Sequence, residues 1–152
     1  TAQALGDLTG LTVATDAGLR ETFAGAWEGL TRAEIDVQFA GQMDLWSVDP
    51  DLRPGGGESR REVAVRVVDA IERALTAVPA NGTIVVATHG GAARAGIGAL
   101  LDLPPEHWAA LGVLANCAWS VLQARTGPHG PRWRLVEYNA KSLPVAALAD
   151  DR

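Results

Sequence analysis

Hydrophobic residues follow helical spacing over most of this chain and change to a continuous run in one place. Residues 83–88 read Thr-Ile-Val-Val-Ala-Thr, with the turn pair Asn81-Gly82 before them and helical spacing again from Ala93. A short apolar, β-branched run between a turn signal and a helix predicts a buried parallel strand. The predicted strand ends in His89-Gly90-Gly91, where the next helix begins.

Two capping boxes predict where helices start. Thr31 with Glu34 opens a helix that ends near residues 49–51, and Ser59 with Glu62 opens the longest helix of the chain. The apolar face of the first helix is Ile35, Phe39, Met43 and Trp46, and that of the second is Val63, Val67, Ala70, Ile71, Ala74, Leu75 and Val78. The second helix leads into the predicted strand, and a helix–strand–helix succession favours a parallel sheet.

The remaining segments give weaker signals. The sequence predicts a helix end up to about Leu8, closed by Gly10, then a short strand at 11–15 and a short helical turn at 106–111. Residues 118–125 and 132–139 predict a hairpin around the Gly-Pro-His-Gly-Pro of 127–131. The last dozen residues are expected to be a frayed tail.

Composition limits the class of protein. A chain of 152 residues with 47% hydrophobic and 20% charged residues is typical of one globular domain. The net charge is −5, and the arginines are scattered among acids, which argues against a nucleic-acid or anionic membrane surface. Cys117 is the single cysteine, so no disulfide framework and no paired-cysteine metal motif are expected.

The expected location is cytoplasmic. No apolar run is long enough to cross a bilayer, and no signal peptide is visible at the N-terminus. The chain begins with Thr1, in what reads as the middle of a helix, so we expect that the native start is missing.

His89 to Gly91 form the strongest candidate site. Ligands of open α/β sheets bind at the carboxyl ends of the strands, and the N–H groups at a helix start favour an anion. The glycines at 90 and 91 allow a ligand to approach the backbone. The alternative is that His89 merely ends a strand, with its ring bonded to a neighbouring carbonyl.

Loop carboxylates supply candidates for proton transfer. Glu21 lies immediately before the irregular segment 22–30, and Glu58 follows the three glycines of 55–57. The first segment predicts either a binding wall or a connection that anchors Phe23 and Trp27. The second predicts either a lid over a pocket or a mobile connection. His107 and His129 are expected at the surface.

Several motifs together resemble the histidine phosphatase superfamily, also called phosphoglycerate-mutase-like. They are Leu19-Arg20-Glu21, residues 25–31 (Gly-Ala-Trp-Glu-Gly-Leu-Thr), residues 56–59 (Gly-Gly-Glu-Ser), residues 87–91 (Ala-Thr-His-Gly-Gly), Asn116, residues 133–135 (Trp-Arg-Leu) and Tyr138-Asn139. Their order and spacing match over nearly the whole chain. Within the superfamily, the resemblance is greatest to dephosphorylating members.

The resemblance implies an α/β fold of three layers, with a mostly parallel central sheet flanked by helices. It also implies a phosphohistidine mechanism without metal or cofactor. Glu21 and His89 would be catalytic: Glu21 exchanges protons with the leaving oxygen and with water, and His89 stabilises the phosphoryl oxygens. The expected substrate-binding residues are Glu21, Thr22, His89 and Gly90, and the expected partner is a small phosphorylated sugar or sugar acid.

This sequence departs from the family pattern because it contains no Arg-His-Gly, the motif that carries the nucleophile on the first strand of relatives. We therefore expect residues 1–152 to be the C-terminal portion of a single histidine phosphatase domain that lacks its first strand, inactive by itself. A phosphoglycerate mutase and a catalytically silent binding module are the competing hypotheses. A homodimer, or association with the missing segment, is left open.

Overall fold

A computed structural model describes residues 1–79, 81–125 and 132–141 of the chain. The helices in these ranges are α1 (Ala2–Thr9), α2 (Arg32–Gln38), α3 (Gln42–Val48), α4 (Arg60–Leu75) and α5 (Gly90–Leu100). The strands are β1 (Trp119–Ala124) and β2 (Trp133–Ala140), and short 3-10 turns cover Ala17–Leu19, Gly25–Trp27, Pro54–Gly56 and Pro105–Ala110. None of the helices in these ranges is long and apolar enough to cross a membrane.

The core lies between α4 and α5. Its buried residues are Val63, Ala64 and Val67 of α4, Ala92 and Ala95 of α5, and Trp108. The helices approach closely at Gly96, where a Cβ atom would lie 2.4 Å from Cγ1 of Val67. The Trp108 indole N–H donates to the Leu103 carbonyl at 2.9 Å, so this buried polar group is satisfied. The apolar face predicted for the longest helix is confirmed at Val63, Val67 and Ala70, which are buried, whereas Ala74 is exposed.

Both predicted capping boxes are present. The Thr31 hydroxyl accepts from the Glu34 N–H, and the Glu34 carboxylate accepts from the Thr31 N–H at 2.7 Å. Ser59 and Glu62 make the same pair of bonds at 3.2 and 2.9 Å. Each box satisfies N–H groups that a helix start leaves free, which is why α2 and α4 begin where the sequence predicts.

The single helix predicted after Thr31 is wrong: two short helices stand in its place. Gly41 adopts the left-handed backbone region, with φ of 76°, between α2 and α3, and a right-handed helix cannot continue through that conformation. The predicted apolar side is still shared, because the Trp27 ring packs on Phe39 at 6.2 Å and on Trp46 at 6.0 Å between centroids.

Residues 83–88 form no strand ladder, and neither do residues 11–15, so both strand predictions are wrong for the structure as described. Ile84, Val86 and Thr88 are half-buried and alternate with exposed residues, among them Val85 with 74% of its surface accessible. The alternation is that of a strand, whose side chains point to opposite faces. A ladder also needs backbone hydrogen bonds to a second strand, and residues 83–88 make none among the described residues.

The sheet of the described residues is the predicted hairpin. β1 and β2 pair antiparallel, with Leu122 opposite Leu135 and Ala124 opposite Trp133, and the register is irregular near Val121. The helix end at α1 is also confirmed, because Gly10 closes it with φ of 71°, as is the short turn Pro105–Ala110. The predicted turn at 127–131, His129 and the predicted tail lie outside the described residues.

Candidate active site

The carboxylate of Glu21 lies on the first turn of α5. Its Oε2 accepts from the Gly91 N–H at 3.0 Å and its Oε1 accepts from the Ala92 N–H at 2.9 Å. Oε1 also accepts from the backbone N–H of Thr22 at 2.9 Å. His89 is the residue that immediately precedes α5. The structure thus brings together, at one helix end, the two residues that the sequence places about 70 positions apart.

The space around the backbone at the helix start explains why one of its two glycines, Gly91, carries no side chain. A Cβ atom at Gly91 would lie 2.7 Å from Oε1 of Glu21, so a larger residue there would displace the carboxylate. A Cβ atom at Gly90 would lie 3.5 Å from the Leu114 carbonyl oxygen, an ordinary contact. The Glu21 contact therefore favours glycine at position 91, and Gly90 makes no comparable contact among the described residues.

The sequence predicts that the N–H groups at the helix start bind an external anion, and this prediction is wrong for two of those groups. The Gly91 and Ala92 N–H groups donate to Glu21, so the anion at that position comes from the chain itself. The two donors and the positive end of the helix dipole attract an oxygen acceptor at this position. His89 is exposed and its side chain makes no capping bond to α5. The exposed imidazole of His89 is therefore the side chain at this helix start that can meet a ligand.

The segment that carries Glu21 is held through its carbonyl groups. Arg66 of α4 donates from Nη1 to the carbonyls of Gly18 and Arg20, both at 2.7 Å, and from Nη2 to the carbonyl of Glu21 at 3.0 Å. Thr88 donates from its hydroxyl to the Leu19 carbonyl at 2.7 Å. Four consecutive carbonyls of an irregular segment are thereby paired with side chains from distant parts of the chain.

Glu58 has a structural position, which argues against it as a proton donor. Its carboxylate accepts from Arg66 Nε at 2.8 Å and Nη2 at 2.9 Å, and from the Phe23 N–H at 2.9 Å. The side-chain bond to Arg66 is the main cause that lowers the pKa of Glu58 below its usual 4.5, although partial burial opposes it. A carboxyl group with a lowered pKa remains ionised at neutral pH.

The two glycine-rich segments contact each other backbone to backbone. A Cβ atom at Gly57 would lie 2.0 Å from the Phe23 carbonyl oxygen, and one at Gly25 would lie 2.3 Å from the Gly55 carbonyl oxygen. Pro54 is buried beside them, and the Glu58 N–H donates to the Phe23 carbonyl at 2.8 Å. These backbone contacts favour neither of the alternatives for the loop that carries Glu58, a lid or a mobile connection. In the first segment Trp27 is buried, as the anchored connection predicts, whereas Phe23 is 52% exposed.

Residues 112–115 are held by side chains of β2, and the Leu114 carbonyl oxygen lies near Gly90 at the helix start. The Tyr138 hydroxyl donates to the Gly112 carbonyl at 2.5 Å, and burial raises the pKa of this phenol. The Asn139 side chain accepts from the Ala115 N–H at 2.8 Å and donates to the Val113 carbonyl at 3.2 Å. The Leu114 carbonyl thus lies beside Gly90 because β2 holds its segment there.

Sequence reasoning missed Arg66, although a signal was present. The residue lies three positions after Val63 and four before Ala70, which places a charge on the apolar face of α4. A charged residue is rarely buried unless it is paired. His107 is exposed, as predicted. Among the described residues, no group of three His, Cys, Asp or Glu side chains has a geometry that holds a metal ion.

The fold is that of the histidine phosphatase superfamily. The family model described as "Histidine phosphatase superfamily (branch 1)" matches residues 1–141, so the chain belongs to this superfamily and has its α/β, phosphoglycerate-mutase-like fold. It is similar to glucosyl-3-phosphoglycerate phosphatase of Mycobacterium tuberculosis (strain ATCC 25618 / H37Rv), 39% identical over 93% of this chain and 69% of the relative. The enzyme of that name from Mycolicibacterium vanbaalenii is 37% identical over 93% of this chain and 69% of its own length.

Solved structures that superpose on this chain include phosphatases as well. The native structure of mycobacterial glucosyl-3-phosphoglycerate phosphatase superposes with a TM-score of 0.84 at 38% identity, over 93% of this chain and 72% of that one. The α-ribazole phosphatase from Shigella flexneri superposes with a TM-score of 0.71 at 22% identity, over 95% of this chain and 71% of that one. The second likeness supports the fold alone.

Proposed function

We propose that the protein hydrolyses a small phosphomonoester, a phosphorylated sugar or sugar acid of the glucosyl-3-phosphoglycerate kind. The observation that carries this proposal is the placement of the Glu21 carboxylate and His89 at one end of α5. The names of the two relatives described above support the substrate, since they are phosphatases of that compound. A small phosphorylated substrate is therefore the proposed ligand.

Two side chains of this chain carry the proposed chemistry. The imidazole of His89, which is exposed beside the helix start, donates to a phosphoryl oxygen and stabilises the negative charge that develops on it. Glu21 gives a proton to the leaving alcohol oxygen and later takes one from the attacking water. Thr22 and Gly90 flank these groups and line the phosphate position.

The nucleophile in this proposal is a histidine nitrogen outside residues 1–152. It attacks phosphorus, the P–O ester bond breaks, and the alcohol leaves with the proton from Glu21. Water then attacks the phosphohistidine, the N–P bond breaks, and Glu21 takes the proton from the water. The absence of Arg-His-Gly from the sequence and the unpaired segment 83–88 both support a preceding segment that supplies a strand and the nucleophile.

The proposed mechanism needs no metal, and the isolated chain of 152 residues does not turn over. Cytoplasmic location and any self-association remain predictions.

Hydrolysis of glucosyl-3-phosphoglycerate by the full-length protein tests the function. His89→Ala is expected to lower kcat/KM at least about 10²-fold, a typical loss for one donor to a developing charge. His107→Ala is the matched control, because His107 is exposed on the turn Pro105–Ala110 and touches none of the site residues described above. Equal rates for the two variants would remove His89 from the site, and no hydrolysis by the wild type would defeat the proposed substrate.

A phosphoglycerate mutase is the alternative that has an observation in its favour. A 2,3-bisphosphoglycerate-dependent phosphoglycerate mutase of Azorhizobium caulinodans is 34% identical, but over 65% of this chain and 49% of the relative. The phosphatases match more of the chain at higher identity, which favours hydrolysis. Product analysis separates the two: a mutase returns 2-phosphoglycerate from 3-phosphoglycerate, whereas the proposed phosphatase releases inorganic phosphate.

A further inference from the structure

We infer that Arg66 is the positioning residue that fixes Glu21 over the start of α5. Arg66 lies on α4, and its side chain is only 17% exposed. It touches the backbone of the Glu21 segment and not the site where the phosphoryl group would lie. Its proposed role is therefore to act through Glu21, and its catalytic consequence rests on the proposed function.

Every N–H donor of the Arg66 guanidinium group makes a hydrogen bond. Arginine has five N–H donors, and in Arg66 they make five bonds. Two go to the Glu58 carboxylate and three go to the carbonyls of Gly18, Arg20 and Glu21, all between 2.7 and 3.0 Å. A group with every donor paired has one favoured orientation, because any rotation leaves a buried N–H without a partner.

Glu21 is consequently held from both sides. Arg66 binds its backbone carbonyl, and the N–H groups of Gly91 and Ala92 bind its carboxylate. Glu58 extends the support by one residue beyond Thr22, since it bonds both the N–H and the carbonyl of Phe23. Residues 21–23 lie outside the helices and strands of the described residues, so these contacts decide where the Glu21 carboxylate lies.

Lysine cannot reproduce this arrangement. Its ammonium group carries three donors at one point, whereas the five bonds of Arg66 reach four residues in a planar fork. Arg66→Lys keeps the charge and most of the length of the side chain but must abandon several of the bonds. The substitution therefore separates the effect of geometry from the effect of charge.

Hydrogen exchange of three adjacent amides reads the position of Glu21 without any assay of activity. The N–H groups of Gly91 and Ala92 donate to the Glu21 carboxylate, whereas that of Ala93 donates to the His89 carbonyl within the helix. In Arg66→Lys we expect about tenfold faster exchange at Gly91 and Ala92 with no change at Ala93. Unchanged exchange at all three amides overturns the inference, and so does equal acceleration at all three, which reports loss of the helix instead.

Arg61→Lys is the matched control. Arg61 lies on the same helix and makes a two-pronged pair with Asp51 at 2.7 and 3.1 Å, but it touches no part of residues 18–23. We expect hydrogen exchange at Gly91, Ala92 and Ala93 in Arg61→Lys to equal that of the wild type.

Should Arg66→Lys fail to fold, Glu58→Gln replaces it, because this near-isosteric change removes the charge that orients Arg66. Faster exchange at Gly91 and Ala92 alone supports the inference, and wild-type exchange in this variant contradicts it.

Kinetics of the full-length protein with glucosyl-3-phosphoglycerate give the catalytic readout. A small misplacement of a catalytic group costs about 10²-fold in rate, so Arg66→Lys is expected to lower kcat by about that factor with little change in KM. Wild-type kcat in Arg66→Lys would overturn the positioning role. Failure of the wild type to hydrolyse the substrate would defeat the proposed function, while the exchange experiment would still decide the geometry.

Discussion

Residues 18–23 and residues 83–88 form an instructive contrast. The first segment has no periodic pattern, yet Arg66, Thr88 and Glu58 bond its carbonyls at 2.7 to 3.0 Å. The second has the composition and alternation of a strand, yet it forms no ladder and leaves Val85 74% exposed. Order in this protein therefore follows the partners that a segment finds, and local propensity is a weaker guide. The two segments meet at Thr88, which bonds Leu19.

The largest expected effect concerns the segment that carries Glu21. Glu21→Gln in the full-length protein retains the shape of the side chain but removes the group that exchanges protons, so kcat for glucosyl-3-phosphoglycerate should fall by about 10²- to 10⁴-fold. Glu28→Gln is the control, because Glu28 is exposed in the same loop. Steady-state kinetics of the two variants check this, and comparable activity in both would exclude Glu21 from proton transfer.

The next effect tests the bond between the two segments. Thr88→Ala removes the hydroxyl that donates to the Leu19 carbonyl and should lower the free energy of unfolding by about 1 kcal/mol. Thr83→Ala changes an exposed threonine of the same segment and should have almost no effect. Urea unfolding measures both, and Thr88→Ser should restore most of the loss. Equal stability of Thr88→Ala and Thr83→Ala would show that the two segments are not coupled.

The pH dependence of stability tests the Glu58–Arg66 pair. The pKa of Glu58 is lower in the folded protein than its usual 4.5, chiefly because Arg66 bonds the ionised carboxylate. Its contribution is therefore fully present above pH 4.5 and is lost as the pH falls through the lower, folded value. The wild type should lose stability over that acid range more steeply than Glu58→Gln. Identical slopes in unfolding experiments between pH 5 and pH 3 would remove Glu58 as the source.

The smallest effect is expected at the unpaired segment. Val85→Thr keeps the β-branched shape and removes only apolar surface that is already exposed, so the stability of the 152-residue chain should change by no more than about 0.5 kcal/mol. Val67→Ala, in the core between α4 and α5, provides the contrast, with an expected loss of more than 1 kcal/mol. Thermal unfolding compares them, and a large loss in Val85→Thr would mean that the segment is already packed.

Local signals explain which elements could be predicted from the sequence. The capping boxes at Thr31 and Ser59, the apolar face of α4 and the glycine at position 10 act over a few residues, so α1, α4, the start of α2 and the hairpin agree with the structure. The break at Gly41 was missed because the apolar spacing continues across it. The ladder at 83–88 was predicted wrongly because pairing depends on another segment, which periodicity does not reveal.

The candidate site likewise has features that local sequence signals predict and features that depend on distant residues. Glu21 and His89 could be singled out because each lies in a recognisable motif, and the structure places them at the same helix end. That the helix N–H groups bond Glu21 and not an external anion could not be foreseen, since the bond joins residues 70 and 71 positions apart. Arg66 reaches carbonyls 45 to 48 positions away, and no local pattern predicts such bonds.

Backbone amide chemical shifts of the full-length protein during titration with inorganic phosphate test the central claim most directly. If the start of α5 is the phosphate site, the amides of His89 and Gly90 should shift with saturation, and His89→Ala should abolish the change while His107→Ala preserves it. Shifts confined to other parts of the molecule, or equal responses in the two variants, would contradict a phosphate site formed by His89 and Glu21.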